Sequence, residues 1–172
     1  MSDLSIWQDL TNDIAKILNV PIEVHIPSSL DEKCINWFQK LDTLAFNVDL
    51  RYTLDELKER WNHEHHLLVF VLSDVMSDQL PIAMMMGYES PTGAEFFYLD
   101  TLAVVIEGKG IGKVMVKQLI KWAKVNNFTG IRLDTELLNI HGVQLVTFYE
   151  KLGFKKTNED SKGDITLEIF LG

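Results

Sequence analysis

The sequence of 172 residues contains one cysteine, four prolines and no apolar run long enough to cross a bilayer. The lone thiol, Cys34, excludes an internal disulfide and fits a reducing, cytoplasmic location. Residues 1–18 lack the basic start and unbroken apolar core of a secretory leader. We therefore expect a cytoplasmic protein that spans no membrane, with Cys34 as a core or half-buried residue rather than a nucleophile.

Positive charge is also scarce, because 16 lysines and arginines face 25 aspartates and glutamates, for a formal net charge of −9. Binding to nucleic acid needs a surplus of lysine and arginine on the binding face. The balance argues against a general nucleic-acid-binding protein. It favours, as an electrostatic bias, a cationic substrate.

A metal-binding spacing is missing as well. The run His63-Glu64-His65-His66 does not place two residues between the glutamate and the second histidine, as the zinc signature H-E-x-x-H requires. We interpret this run as the solvated end of a helix that leads into a strand. The sequence therefore predicts no metal.

The length suits one domain with a sizeable core, and no stretch resembles an interdomain linker. Apolar residues at three- and four-residue spacing predict helices, while short apolar or alternating runs predict strands. The predicted helices cover residues 4–18, 31–46, 54–62, 111–124 and 142–152. The predicted strands cover residues 22–26, 67–72, 82–88, 96–106, 131–135, 154–157 and 165–170. Capping boxes are predicted at Ser29 with Glu32 and at Thr53 with Glu56.

The turn at residues 107–112 carries the strongest functional signal, because its three glycines lead directly into the surest helix. Unpaired amides at a helix start, together with the helix dipole, suit an anion. The Walker A pattern fails because only three residues separate the first and last glycines, and the dinucleotide fingerprint fails on its spacing too. What remains is a G-x-G turn at Gly110 and Gly112. It is either an anion cradle or a plain β-to-α turn without a ligand.

A second motif, Phe148-Tyr149-Glu150-Lys151-Leu152-Gly153-Phe154, follows the strand after the glycine helix. In this order the two motifs resemble the acyl-CoA loop and the Y-E-K-x-G-F ending of the GNAT superfamily of N-acetyltransferases. The resemblance covers about residues 21–170 of a single domain spanning 1–172, and residues 1–19 form an N-terminal helical extension. It implies an α/β (α+β) fold with a mixed, mostly antiparallel sheet, a central parallel pair of strands and helices on both faces.

The resemblance also implies roles for individual residues. Tyr149 would protonate the leaving thiolate, since its ordinary pKa of about 10 keeps it protonated at neutral pH. Asp100 and Glu95 are the candidates for the base that deprotonates the amine, unless a water chain does so, and His25 and the histidines at 63–66 are weaker candidates. The residues implied in cofactor binding are Leu102, Ala103 and Val104 for the pantetheine arm, Lys109, Gly110, Ile111, Gly112 and Lys113 for the pyrophosphate, and Asn139 near the last helix.

The loop departs from the family pattern, because Glu107 stands where glutamine or arginine is usual and the loop is about two residues shorter. A carboxylate about 5 Å from a phosphate charge costs ~3 kcal/mol at an effective dielectric of about 20, so Glu107 should point away. The implied function is acetyl transfer from acetyl-CoA to a primary amine of a small molecule or peptide by direct attack, in a protein compatible with a homodimer. The alternative is a catalytically inactive GNAT-like module that binds CoA or a partner.

Overall fold

The computed structural model describes residues 2–74, 81–93 and 95–172. This part of the chain contains five α-helices, seven β-strands and one turn of 3₁₀ helix at Val48–Leu50. The helices are α1 (Asp3–Leu18), α2 (Glu32–Ala45), α3 (Leu54–Trp61), α4 (Ile111–Val125) and α5 (Leu145–Glu150). The strands are β1 (Ile22–His25), β2 (Leu67–Ser73), β3 (Pro81–Glu89), β4 (Phe96–Val104), β5 (Gly130–Thr135), β6 (Lys155–Glu159) and β7 (Ile165–Phe170). None of these helices has the length and apolar character of a transmembrane helix.

The strands form one sheet in the order β1-β2-β3-β4-β5-β7-β6. Strands β4 and β5 run parallel, with helix α4 as the crossover between them, and the other neighbouring pairs are antiparallel. This arrangement confirms the mixed, mostly antiparallel sheet with a central parallel pair that the sequence predicts.

Helices cover both faces of the sheet, as expected. Apolar side chains of α1, α4 and α5 pack on one face, and those of α2 and α3 pack on the other. The consecutive methionines of β3 follow this division, because Met85 joins the first cluster while Met84 and Met86 join the second. Helix α1, predicted as an extension, buries Ile6 and Leu10 completely in the first cluster. It is therefore a layer of the core.

A β-bulge interrupts the pairing of β3 with β4 at Asp100. Met86 pairs with Thr101 and Gly87 pairs with Leu99, which leaves Asp100 as the extra residue of β4. The alternation of side chains changes phase there, because Leu99 packs against the α4 face whereas Ala103 packs against the α2 and α3 face. A bulge bends its strand and increases the local twist. The bulge lies just beyond Tyr98, the last residue of β4 that pairs with β5.

The start of α2 differs from the predicted capping box at Ser29. Asp31 is the N-cap residue, and its Oδ1 accepts the backbone N–H of Cys34 at 2.8 Å. Aspartate accepts this bond well, and its negative charge suits the positive end of the helix dipole. Cys34 itself is 1% exposed, and burial raises the pKa of its thiol to about 11. The interpretation of this residue as part of the core is confirmed.

The predicted capping box of α3 is present, with Thr53 and Glu56 bonded reciprocally. The predicted start of the last helix at 142 is wrong by three residues, because α5 begins at Leu145. The preceding residues form a turn instead, in which Gly142 has a φ of 76° and Leu138 forms an isolated bridge with Gln144. Strand β4 also ends at 104 rather than at 106.

The connection between α2 and α3 is fixed by a buried carboxylate and a guanidinium. Asp42, 2% exposed, accepts the backbone N–H of Tyr52 at 2.7 Å. Arg51 donates to the carbonyl of Phe46 at 2.8 Å and to that of Thr43 at 3.2 Å. Burial is the main cause that raises the pKa of Asp42 to about 6. The charged form of this group therefore opposes folding.

Replacing Asp42 by asparagine is expected to stabilise the fold near neutral pH. Asparagine keeps an oxygen for the N–H of Tyr52 but carries no buried charge. The carboxyl binds its proton more tightly in the folded protein than in the unfolded chain, where the pKa is 3.8. The wild-type protein therefore loses up to about 3 kcal/mol of unfolding free energy as the pH rises from 4 to 7, most of it below pH 6. Urea titrations of both proteins across this range should show the difference widening with pH, whereas a constant difference would contradict the assignment.

Candidate active site

Strands β4 and β5 separate to form a narrow opening. Their pairing ends at Tyr98 and Arg132, although both strands continue beyond these residues. The resulting inner cleft has a volume of about 140 Å³ and lies between the ends of the two strands and helix α5. Leu102, Ala103 and Val104, predicted to bind the cofactor, all line it. Since β5 does not pair with these residues, the edge of β4 that faces β5 keeps backbone groups available for a ligand.

The glycine loop leads from the inner cleft into α4. Gly108 and Gly110 have φ angles of 74° and 84°, which glycine adopts without the strain that other residues meet. The first backbone bond of α4 runs from the N–H of Val114 to the carbonyl of Gly110 at 3.1 Å. The N–H groups of Ile111, Gly112 and Lys113 therefore have no acceptor inside the helix.

The space beside this loop is open. A Cβ atom added at Gly108 or Gly110 would meet no atom within 4 Å, and Lys109 and Lys113 are exposed on either side of Gly110. Such a Cβ atom at Gly112 would lie 3.6 Å from a side-chain atom of Val104, which places the start of α4 against the inner cleft. Unpaired amides, a positive helix end and two lysines suit a phosphate group.

Glu107 and Asn139 both line the inner cleft. The Glu107 carboxylate lies 3.8 Å from Nε2 of His141, so it is directed towards the loop before α5. The Oδ1 atom of Asn139 accepts the backbone N–H groups of His141 and Val143, each at 2.9 Å. Asn139 lines the cleft, and its side-chain oxygen holds the loop before α5 in place through these two hydrogen bonds.

Tyr149 lies on α5 and lines the inner cleft with 7% of its surface exposed. Its ring makes edge contacts with Phe148 and Phe154, at centroid distances of 4.9 and 5.5 Å. Burial raises the pKa of its hydroxyl above the ordinary value of about 10. The hydroxyl therefore keeps its proton at neutral pH, and the aromatic packing fixes the ring beside the ends of the strands.

A larger outer cleft of about 400 Å³ continues from the inner one. Its walls are the connection from α2 to α3, the ends of β4 and β5, and the loop before α5. The two clefts share the residues at their junction, which are Ala45, Phe46, Asp100, Thr101, Asp134, Thr135, Asn139 and Leu145. A molecule in the outer cleft can therefore reach one in the inner cleft.

Asp100 lies at this junction, and the side chains of Tyr52, Tyr88 and Arg60 all interact with its carboxylate. Its Oδ2 atom accepts the hydroxyl of Tyr88 at 2.8 Å and Nε of Arg60 at 3.2 Å. The pKa of Tyr88 is raised, first by burial and then by the charge of Asp100. Sequence reasoning missed Arg60 and Tyr88, because their meeting with Asp100 depends on how α3 packs on the sheet.

The second predicted base, Glu95, is not among the residues that line either cleft. It is exposed in the turn before β4 with a φ of 85°, and its carboxylate accepts the hydroxyl of Thr129 at 3.0 Å. Strand β4 runs from this turn to the inner cleft, so Glu95 lies at the end of the strand that is remote from the glycine loop. The structure brings Asp100 to the site and leaves Glu95 outside it.

The histidines have different surroundings. His63 stacks on the ring of Tyr88 at a centroid distance of 4.3 Å, and Tyr88 in turn donates a hydrogen bond to Asp100. His25, on edge strand β1, contacts Trp37. Glu64, His65 and Glu89 bring potential ligand atoms within 4.8 Å of one another at the surface. His65 and Glu89 already share a hydrogen bond at 2.5 Å.

Comparison with known proteins agrees with this geometry. Residues 32–154 match the model of the family described as "Acetyltransferase (GNAT) family". No curated protein matches the chain in sequence. Among solved structures, a chain of the NatC complex bound to Gag peptide and CoA has 20% identity and a TM-score of 0.69, over 88% of this chain and 99% of that one.

Two further structures show the same similarity. The ribosomal-protein-S18-alanine N-acetyltransferase from Escherichia coli has 15% identity and a TM-score of 0.65, over 87% of this chain and 95% of its own. An aminoglycoside 6′-N-acetyltransferase complexed with coenzyme A has 17% identity and a TM-score of 0.65, over 87% and 97%. At these identities the likeness establishes a shared fold.

Proposed function

The chain belongs to the GNAT family of acetyltransferases, and from this premise we propose that it moves an acetyl group from acetyl-CoA to a primary amine by direct attack. The observation that carries the proposal is the junction of the two clefts. A buried proton donor, Tyr149, lines the inner cleft, and a carboxylate, Asp100, lies where the outer cleft joins it. Such a junction suits transfer between two bound substrates.

The fit to acetyl-CoA rests on the inner cleft and the glycine loop. The free edge of β4 at Leu102, Ala103 and Val104 would bind the amide groups of the pantetheine arm. The pyrophosphate would be held by the amides from Gly110 to Lys113, with Lys109 and Lys113 adding charge. Asn139 lines the same cleft. Acetyl-CoA supplies the acetyl group as an activated thioester.

Asp100 would prepare the amine. An alkylamine with a pKa near 10.4 is less than about one part in a thousand neutral at pH 7, so its proton must be removed before nitrogen attacks carbon. Asp100 takes this proton, directly or through water, while Arg60 and Tyr88 hold the carboxylate in place. As the new carbon–nitrogen bond forms and the carbon–sulfur bond breaks, Tyr149 gives its proton to sulfur.

Replacement of Gly110 by alanine is expected to weaken CoA binding at least tenfold. Alanine at a positive φ costs about 1–2 kcal/mol, and relaxation of this strain would move the loop amides out of position. Isothermal titration of CoA into the wild-type and variant proteins measures the change.

Gly163→Ala is the matched control, because Gly163 has a φ of 89° and similarly open surroundings in the turn between β6 and β7. Both variants should lose comparable stability, but Gly163→Ala should bind CoA as the wild type does. Equal CoA affinity in Gly110→Ala and the wild type would contradict the proposal that the glycine loop binds the pyrophosphate. No binding of CoA or acetyl-CoA to the wild type at millimolar concentration would remove the proposed function.

A further inference from the structure

The outer cleft has a charge pattern that points to its substrate class. Resting on the proposed function, we propose that the acetyl acceptor is a small linear polyamine. One ammonium group of this molecule would be positioned at Asp100 for reaction, and carboxylates farther out in the same cleft would bind a second ammonium group.

Negative charge dominates the lining of this cleft. The carboxylates are those of Asp49, Glu56, Asp100, Asp134, Glu136 and Asp164, whereas the cationic side chains are those of Arg51 and Arg60. Arg60 is paired with Asp100, and Arg51 donates to backbone carbonyls at the end of α2. Among the residues that the structure describes, no cationic side chain forms an ion pair with the other five carboxylates.

The carboxylates are distributed along the cleft. Asp100 and Asp134 line both clefts, so they lie at the end where transfer occurs. Asp49, Glu136 and Asp164 line the outer cleft alone and come from three separate segments of the chain. A single ammonium group at Asp100 leaves these outer carboxylates unneutralised. A second positive charge on the same molecule would neutralise them.

Apolar side chains complete the cleft, and they suit methylene groups. Phe46, Leu50, Ile140 and Leu145 line it together with the carboxylates. A lining that combines apolar and acidic side chains suits a chain in which methylene segments separate ammonium groups. The volume of about 400 Å³ lies at the lower end of the range for small-molecule sites, about 300–1,000 Å³. These features favour a linear polyamine over a neutral peptide or a hydroxyl-rich sugar.

The experiment compares cadaverine with pentylamine, which has the same five-carbon chain but one amine. Release of free thiol from acetyl-CoA gives kcat and KM for each. We expect kcat/KM to be at least tenfold higher for cadaverine than for pentylamine. The two equivalent amines of cadaverine account for a factor of about two, so most of the difference must come from binding, and it should appear as a lower KM for cadaverine. Added salt should reduce this preference, because the outer part of the cleft is open to solvent. Spermidine should be used at least as well as cadaverine.

Substitutions of single carboxylates test which residues of the outer cleft produce the preference for cadaverine. Glu136→Gln and Asp164→Asn should each raise KM for cadaverine about threefold, as expected for a solvent-exposed ion pair, and the double variant about tenfold. Their kcat should not change, and their KM for pentylamine, which has no second ammonium group, should rise by less than their KM for cadaverine. Glu23→Gln serves as the control and should match the wild type. It alters an exposed carboxylate on the edge strand β1, which is separated from β4 by β2 and β3.

The outcomes separate this inference from the function on which it rests. Equal kcat/KM for cadaverine and pentylamine, or a higher value for a neutral peptide or for kanamycin, would overturn the polyamine assignment while acetyl transfer stands. Loss of the preference in Glu23→Gln to the same extent as in Glu136→Gln would overturn it too. No thiol release with any amine would overturn both.

Discussion

Asp100→Asn is expected to lower kcat/KM for acetyl transfer at pH 7 by two to three orders of magnitude, the usual effect of removing a general base. Asparagine retains an oxygen for the hydroxyl of Tyr88 and Nε of Arg60, so the bulge in β4 and the affinity for CoA should persist. It cannot accept the proton of the amine. Free-thiol release measured against amine concentration gives the effect, and calorimetry with CoA tests whether the cofactor site is intact.

The pH dependence distinguishes a base from a structural residue. As the pH rises towards the amine pKa of about 10.4, the amine loses its proton without help, so the deficit of Asp100→Asn should shrink. A deficit that stays constant with pH would contradict the role of base. Glu95→Gln is the matched control, since it changes the other carboxylate favoured by the sequence, which lies outside both clefts. It should retain wild-type kinetics, and a large loss of kcat in Glu95→Gln would reverse the assignment of the base.

Tyr149→Phe is expected to lower kcat about 100-fold, because sulfur would then leave without a proton donor. Phenylalanine keeps the edge contacts with Phe148 and Phe154, so the fold should be retained. The affinity for CoA should change by no more than about twofold. Because burial raises the pKa of Tyr149 above its ordinary value, its hydroxyl stays protonated in alkaline solution. Loss of this proton should therefore give no descending limb in the wild-type pH profile of kcat below about pH 10.

Tyr98→Phe is the control for this change. It removes a hydroxyl that donates to Asp134 at 3.0 Å. Tyr98 lines the outer cleft and is not among the residues that line the inner cleft with Tyr149. Its effect should fall on the KM for the amine and leave kcat near the wild-type value. Unchanged turnover in Tyr149→Phe would eliminate this residue as the acid, and water would then be the proton source.

The sequence predicted the elements well where a single period dominates. Helix α4 was predicted at 111–124 and observed at Ile111–Val125, because its apolar residues form one continuous face. The parallel pair followed from a strand, a helix and a strand in succession, since this connection favours a parallel crossover. The glycine loop was predicted from its spacing, and Tyr149 from the resemblance of its local motif to the GNAT family; neither prediction needs knowledge of distant contacts.

What escaped prediction depends on contacts between segments far apart in the sequence. The bulge at Asp100 depends on the register in which β3 and β4 pair. Each strand alone shows an ordinary apolar pattern, so neither segment reveals it. Arg60 reaches Asp100 only because α3 packs against the sheet. The late start of α5 depends on a turn closed by Asn139, whose two backbone bonds compete with helix formation. Glu95 directly precedes the strand that carries Asp100, so sequence alone had no means of choosing between them.

The measurement that tests the central claim most directly is acetyl transfer by the wild-type protein. The protein is incubated with acetyl-CoA and a set of amines that includes spermidine, cadaverine, pentylamine, kanamycin and a peptide with a free N-terminus, and both free thiol and product mass are followed. We expect thiol release that depends on the amine and is matched by an equal amount of product carrying one additional acetyl group. Binding of CoA in calorimetry without thiol release for any amine would contradict the claim and identify the chain as a CoA-binding module that has lost catalysis.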